Sequence, residues 1–63
     1  MPEMLTPAEA AEYVRYPEET LRRWRSLGIG PMFVKAGRHV RYRKVSLDRW
    51  LEEREREAAV RAR

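Results

Sequence analysis

The sequence lacks cysteine altogether and contains a single histidine, His39, and a single phenylalanine among its 63 residues. The absence of cysteine excludes disulfide bonds and thiolate zinc sites, and one histidine is too few for the usual structural zinc ligands. The lack of a disulfide framework fits a reducing, intracellular compartment. We therefore expect no metal and no other cofactor.

Long apolar runs are also absent. No stretch approaches the roughly 20 apolar residues that a membrane-spanning helix requires. The N-terminus lacks the positive start and apolar stretch of a signal peptide, so we expect a cytoplasmic protein without a membrane segment. A domain of this size buries only about 60% of the surface of its unfolded chain, which leaves no volume for a deep catalytic cleft. The sequence also lacks a nucleophile–base pair and a phosphate loop, and we expect no enzyme.

Basic residues are concentrated in the middle of the chain, although the net charge is only +4. Residues 1–14 carry three acidic residues and no basic one, and residues 45–63 carry five of each sign. Residues 15–44 carry nine basic residues against Glu18 and Glu19, a net charge of +7. A positive block of this kind is the electrostatic footprint of a polyanion-binding protein.

Two short helices joined by a tight turn are predicted for the first half of the chain. Thr6 can cap the first helix, Pro7 suits its first turn, and Glu9 lies where it closes a capping box. The second helix is predicted to open at Pro17 and to end at the terminator Gly28.

The second helix has two different faces. At about 100° per residue, the residues on its core side are Pro17, Leu21 and Trp24. The residues on its opposite face are Glu19, Arg22, Arg23 and Ser26. A second helix that presents polar and basic side chains in this way is typical of a helix-turn-helix.

A hairpin and a third helix follow. Residues 32–35 and 40–43 are predicted strands, and residues 36–39 form the loop between them. Ser46 is the expected cap of the third helix. The apolar face of that helix consists of Leu47, Trp50 and Leu51.

The predicted fold class is α+β and mainly helical. It is a small winged helix-turn-helix of order α-α-β-β-α with a two-stranded hairpin wing. We expect a single domain over residues 1–63, with a core over 5–51 and a charged helical tail over 52–63.

The second helix supplies the first set of candidate DNA-binding residues, because the major groove of DNA admits one α-helix. Arg22 and Arg23 can each make the bidentate contact to guanine, and Glu19 can accept a hydrogen bond from cytosine. Thr20 and Ser26 suit phosphates or either base type.

The hairpin supplies the second set. Arg38 and His39 lie at its tip, and a narrow minor groove attracts inserted Arg or His. The basic residues expected to contact the phosphates along the DNA backbone are Arg41, Arg43 and Lys44. Arg25 lies nearer the core flank of the second helix, so we expect a phosphate contact or a structural role for it.

The sequence allows two other interpretations. The large aromatics could be stacking platforms for single-stranded nucleic acid, but in so small a domain we expect them to build the core. Those aromatics are Trp24, Phe33, Tyr42 and Trp50. The charged helix from Leu47 onward could instead serve as a protein-interaction module. No obvious dimerisation seam is present, so we expect a monomer that binds DNA cooperatively.

Residues 5–51 together resemble the excisionase-type, MerR-like winged helix-turn-helix domains. The similar segments are Leu5–Val14 as the opening helix, Thr20–Trp24 as the recognition helix, Gly30–Tyr42 as the wing and Ser46–Leu51 as the closing helix. In this family the turn between the first two helices usually carries glycine, a small apolar residue and a serine cap. Here the turn is Arg15-Tyr16-Pro17.

The resemblance implies a phage or prophage excisionase, also called a recombination directionality factor. Such proteins bind repeated sites at attachment DNA, bend the DNA and direct the integrase toward excision. Related small members of the MerR-like or AlpA-like kind regulate transcription instead. The resemblance therefore implies double-stranded DNA as partner, self-association on that DNA, and an integrase as a further partner.

Overall fold

Three helices and a small antiparallel sheet build the part of the protein that the computed structural model describes, residues 4–62. The elements in chain order are β1 (Met4–Leu5), α1 (Pro7–Val14), α2 (Glu18–Leu27), β2 (Val34–Ala36), β3 (His39–Arg43) and α3 (Lys44–Arg61). The strand order is β1-β3-β2 and both pairings are antiparallel. The architecture is a mainly helical winged helix-turn-helix, as predicted.

Helix α1 begins with the predicted capping box. The Thr6 hydroxyl oxygen accepts a hydrogen bond from the Glu9 backbone N–H at 3.2 Å, and the Glu9 carboxylate accepts one from the Thr6 N–H at 2.9 Å. Pro7 occupies the first turn, where its missing N–H costs nothing. These contacts fix the start of α1 immediately after β1.

The turn between α1 and α2 closes through a left-handed residue. Arg15 has φ 66°, and within residues 4–62 no other non-glycine residue has positive φ. The N–H groups of Arg15 and Tyr16 both bond to the Ala11 carbonyl, at 2.8 and 3.1 Å. Pro17 is the residue before α2 and is exposed. Its expected place on the core side is wrong, because helical spacing does not apply outside the helix.

The sheet has one strand more than the predicted two-stranded wing. Strand β1 pairs with β3, placing Met4 opposite Arg43 and Leu5 opposite Tyr42. A strand of two residues has no readable alternation, so the sequence did not reveal it. The pairing brings Leu5 to the core beside Tyr42, which is 1% exposed.

The hairpin turn is tighter than the predicted loop over residues 36–39. Ala36 and His39 are paired strand residues, so the turn consists of Gly37 and Arg38. Gly37 has φ 63°, and glycine at the first central position suits a two-residue hairpin turn. Phe33 precedes β2 rather than lying in it.

Helix α3 begins earlier and extends further than its apolar pattern suggests. It starts at Lys44, with Arg43 as the extended residue before it and no side-chain cap. The expectation that Ser46 caps the helix is wrong, because β3 runs directly into α3 without a loop. The charged segment after Leu51 is helical to Arg61 and exposed to solvent.

The core lies between the helices and one face of the sheet. The buried residues that form this core are Ala10, Ala11, Val14, Leu21, Tyr42 and Leu47. Trp24 and Trp50 pack against this core, with ring centroids 5.5 Å apart, and Tyr16 lies 5.0 Å from Trp24. The tryptophans thus have the structural place that we expected for them.

Gly30 is required where the chain leaves α2. It has φ +85°, and a Cβ there would lie 2.9 Å from Trp24 Cε3 and 3.0 Å from Trp24 Cβ. We expect Gly30→Ala to lower the free energy of unfolding by about 2 kcal/mol, because a left-handed alanine is strained and also collides with the indole. Urea unfolding followed by circular dichroism measures the loss.

Gly28→Ala is the matched control for this prediction. Gly28 has φ +75° and open space around its Cα, so its substitution adds only the backbone strain, about 1 kcal/mol. Equal losses in the two variants would show that the contact between Gly30 and Trp24 contributes nothing.

Candidate nucleic-acid interface

The exposed face of α2 gathers one set of predicted site residues. Side chains spaced by three and four residues along a helix share one face. The residues that line a shallow, open concavity of about 560 Å³ there are Pro17, Glu19, Thr20, Arg22, Arg23 and Ser26. Leu21, on the opposite face, is fully buried and fixes which side of α2 faces solvent. All five of the residues predicted on this helix therefore lie on one surface.

The arginines of this face are not tied to carboxylates. Within the described part of the chain, ion pairs form between Lys44 and Asp48 and between Arg54 and Glu57, and neither involves α2. Arg22 and Arg23 are exposed to solvent. Their guanidinium groups keep their donors for an external acceptor such as a phosphate or a guanine edge.

The hairpin presents the second set of predicted residues. His39, Arg41 and Arg43 alternate along β3 with the inward-facing pair Val40 and Tyr42, as the sequence predicted. His39 and Arg43 are exposed, and so is Arg38 in the turn. The tip of the hairpin is therefore not buried against the body of the protein.

Arg41 and Lys44 differ from these residues because their charged groups have partners within the protein. Arg41 is half-buried, and its guanidinium donates a 2.7 Å hydrogen bond to the Val40 carbonyl. Lys44 is the first residue of α3 rather than a continuation of the hairpin. Its ammonium lies 3.4 Å from Asp48 and 5.4 Å from the centre of the Tyr13 ring. A DNA-binding role for Arg41 and Lys44 stays a prediction.

A small polar cluster joins α1 to α3. The Tyr13 hydroxyl donates a hydrogen bond to Asp48, which lies beside Lys44. The bond from Tyr13, followed by the bond and charge of Lys44, holds the pKa of Asp48 below its ordinary value of 3.8. The Tyr13 hydroxyl and then the Asp48 carboxylate hold the pKa of Lys44 above 10.5. Both groups are stabilised in their charged forms.

This cluster predicts an acid-sensitive contribution to stability. A carboxylate whose pKa is lower in the folded state stabilises the fold above its unfolded pKa, and that contribution disappears as the pH falls through the folded value. We therefore expect the wild type to lose stability relative to Asp48→Asn as the pH falls below 3.8. Thermal unfolding across that pH range measures the difference.

Glu52→Gln serves as the control, because it removes an exposed carboxylate of the same helix that takes no part in the cluster. If Asp48→Asn and Glu52→Gln follow the same pH dependence, the cluster makes no contribution of its own.

The contacts of Arg25, near the exposed face of α2, could not be predicted from the sequence. The Arg25 guanidinium donates a 2.8 Å hydrogen bond to the Tyr42 hydroxyl and lies 5.9 Å from the ring centres of both Phe33 and Tyr42. Arg25 was expected to contact a phosphate or to be structural, and the structure gives it an internal partner. Arg25 and Tyr42 are 17 positions apart, and no local pattern connects them.

Other kinds of site are not seen in the described residues. Over residues 4–62, no group of acidic, histidine or cysteine side chains is arranged to hold a metal ion. In the same part of the chain, no helix combines the length and apolarity of a membrane-spanning segment.

Two short helices closed by a tight turn, followed by an exposed basic hairpin, define a winged helix-turn-helix DNA-binding domain. The chain belongs to the family described as "Helix-turn-helix domain", whose model matches residues 4–55. Domains of this family bind DNA sequence-specifically, are typically not enzymes, and occur in small excisionase-like and AlpA-like proteins. A comparison with curated proteins finds no match.

Proposed function

We propose that the protein reads double-stranded DNA with α2 in the major groove and the β2–β3 hairpin in an adjacent minor groove. The observation that carries this proposal is the exposed α2 face, where Arg22 and Arg23 surround one concavity and form no ion pair among the described residues. A bidentate arginine–guanine contact contributes about 1–3 kcal/mol of discrimination. Arg38 at the exposed turn is the residue that would enter the minor groove.

The biological role that we propose is that of an excisionase. Copies of the protein would bind side by side on repeated sites at attachment DNA, bend the DNA and direct an integrase toward excision. The support for this role is the resemblance of residues 5–51 to excisionase-type domains. The rival role is that of a small AlpA-like transcriptional regulator with the same fold. We further propose that the protein acts in the bacterial cytoplasm, and that it is a monomer when free and binds DNA cooperatively, because its sequence shows no obvious dimerisation seam.

Two experiments test the proposal in order. In vitro selection from random duplexes should yield a short common sequence, and failure to enrich any sequence would contradict specific DNA binding. An excision assay with an integrase and its attachment sites then separates the two roles. Recombination that depends on the protein supports an excisionase, whereas recombination that is indifferent to it supports a regulator.

Arg38→Ala should reveal the contribution of the hairpin. If Arg38 lies in the minor groove, between the phosphates that flank it, its removal lowers the slope of log affinity against log salt by about one and weakens binding evenly across sequences. Fluorescence anisotropy of the selected duplex at several salt concentrations measures this slope. An unchanged slope and affinity would place the hairpin away from the DNA.

A protein-interaction role for the C-terminal part of α3 is the second candidate. The observation that favours it is that the helix continues to Arg61 with every residue from Glu52 to Arg61 exposed to solvent, among them Val60 at 57%. Truncation after Leu51 tests this role. Loss of binding to a protein partner with intact DNA affinity would support it.

A further inference from the structure

The side chain of Arg25 forms a hydrogen bond that joins α2 to the hairpin, and over residues 4–62 no other side-chain hydrogen bond joins these two elements. Its guanidinium donates to the hydroxyl of Tyr42, which is 1% exposed and belongs to β3. The same group lies 5.9 Å from the centres of the Phe33 and Tyr42 rings, within the range of cation–π attraction. Arg25 is itself half-buried, unlike Arg22 and Arg23 in the same helix. Its charge is therefore directed into the protein rather than toward solvent.

This contact joins the two elements that carry the predicted DNA-binding residues. Arg25 shares α2 with the exposed arginines, and Tyr42 stands in β3 between Arg41 and Arg43. The α2 backbone packs on α1, whereas β3 packs on α1, α3 and the other strands. A rigid, planar guanidinium held by one hydrogen bond and two rings is suited to fix the angle between these two elements.

We propose that Arg25 is a positioning residue that sets the orientation of α2 relative to the β2–β3 hairpin, so that both fit the same duplex. This inference rests on the proposed function. It assigns Arg25 an action through Arg22, Arg23 and the hairpin, and not a contact of its own with phosphate.

The variants Arg25→Met and Tyr42→Phe test this assignment on the duplex selected by the wild-type protein. Tyr42→Phe keeps the ring and the net charge and removes only the acceptor. We expect each variant to weaken binding about tenfold, the equivalent of one charged hydrogen bond, with the salt slope unchanged. The double variant should bind no more weakly than the weaker single variant, because both remove the same contact.

A phosphate contact gives a different result. Arg25→Met would then lower the salt slope by about one, while Tyr42→Phe would bind like the wild type. That result, or wild-type affinity in both variants, overturns the proposal. If Tyr42→Phe fails to fold, as judged by circular dichroism, Arg25→Met alone distinguishes the two outcomes through its salt slope.

A measurement without DNA separates this inference from the proposed function. Residual dipolar couplings of the free protein report the angle between α2 and the hairpin. The proposal requires this angle to change in Arg25→Met and in a folded Tyr42→Phe, and an unchanged angle overturns it whatever the affinities. If selection yields no duplex, the proposed function fails and the measured angle still decides whether Arg25 positions α2.

Discussion

Replacing Leu21 by alanine is expected to cost about 3–4 kcal/mol of folding free energy and to leave a large part of the protein unfolded. Leu21 is completely buried in the centre of α2, among the side chains of α1, β3 and α3. A chain of this length has a total stability of about 3–9 kcal/mol, so the loss is comparable to the whole. Because the burial of Leu21 turns the proposed DNA-binding face of α2 toward solvent, DNA affinity should fall together with the folded fraction.

The control for this prediction is Leu21→Met, which keeps the volume and should cost less than about 1.5 kcal/mol. Urea unfolding followed by circular dichroism measures both variants. An alanine variant that unfolds at the same urea concentration as the wild type would contradict the position of Leu21 in the core.

The double variant Arg22→Ala/Arg23→Ala is expected to have the largest effect on DNA binding. The two side chains lie on one exposed face and carry the proposed base contacts. Losing two bidentate contacts should cost about 2–6 kcal/mol on the selected duplex, while binding to an unrelated duplex falls much less. Titrations of both duplexes at one fixed salt concentration measure the two losses.

Arg56→Ala/Arg61→Ala is the matched control, because it removes the same charge from the exposed part of α3. It should reduce the affinity for both duplexes slightly and equally. Equal losses in the two double variants would mean that overall charge, and not the face of α2, governs binding.

The parts of the fold that depend on local chemistry were predictable from the sequence. Thr6 and Glu9 form the expected capping box, since both partners lie within one helical turn. Gly28 ends α2 in the left-handed conformation that glycine favours. The exposed α2 face was predictable for the same reason, because Leu21 and the arginines follow the helical period.

Features that depend on distant partners were not predictable. Strand β1 forms because Leu5 pairs with Tyr42, which lies 37 positions further along the sequence. The role of Lys44 depends on the contact between Tyr13 and Asp48, which are 35 positions apart. Each of these pairs is formed by the packing of whole elements, which no window of the sequence contains.

In the turn before α2, an arginine adopts the conformation that glycine makes easy in the excisionase-type domains that this chain resembles. Arg15 adopts a left-handed conformation at φ 66° and is stabilised by the bond from its N–H to Ala11. A left-handed non-glycine residue costs about 1–2 kcal/mol, and the surrounding contacts offset this cost. The departure in sequence therefore leaves the fold of the two helices unchanged.

The central claim is that the α2 face and the hairpin bind one DNA duplex together. The most direct test is a titration of the ¹⁵N-labelled protein with the selected duplex, followed by two-dimensional NMR. The account predicts that amide shifts change in two segments, Glu19–Ser26 and Arg38–Arg43, at the same DNA concentration. Shift changes confined to Glu52–Arg61, or to only one of the two segments, would contradict it.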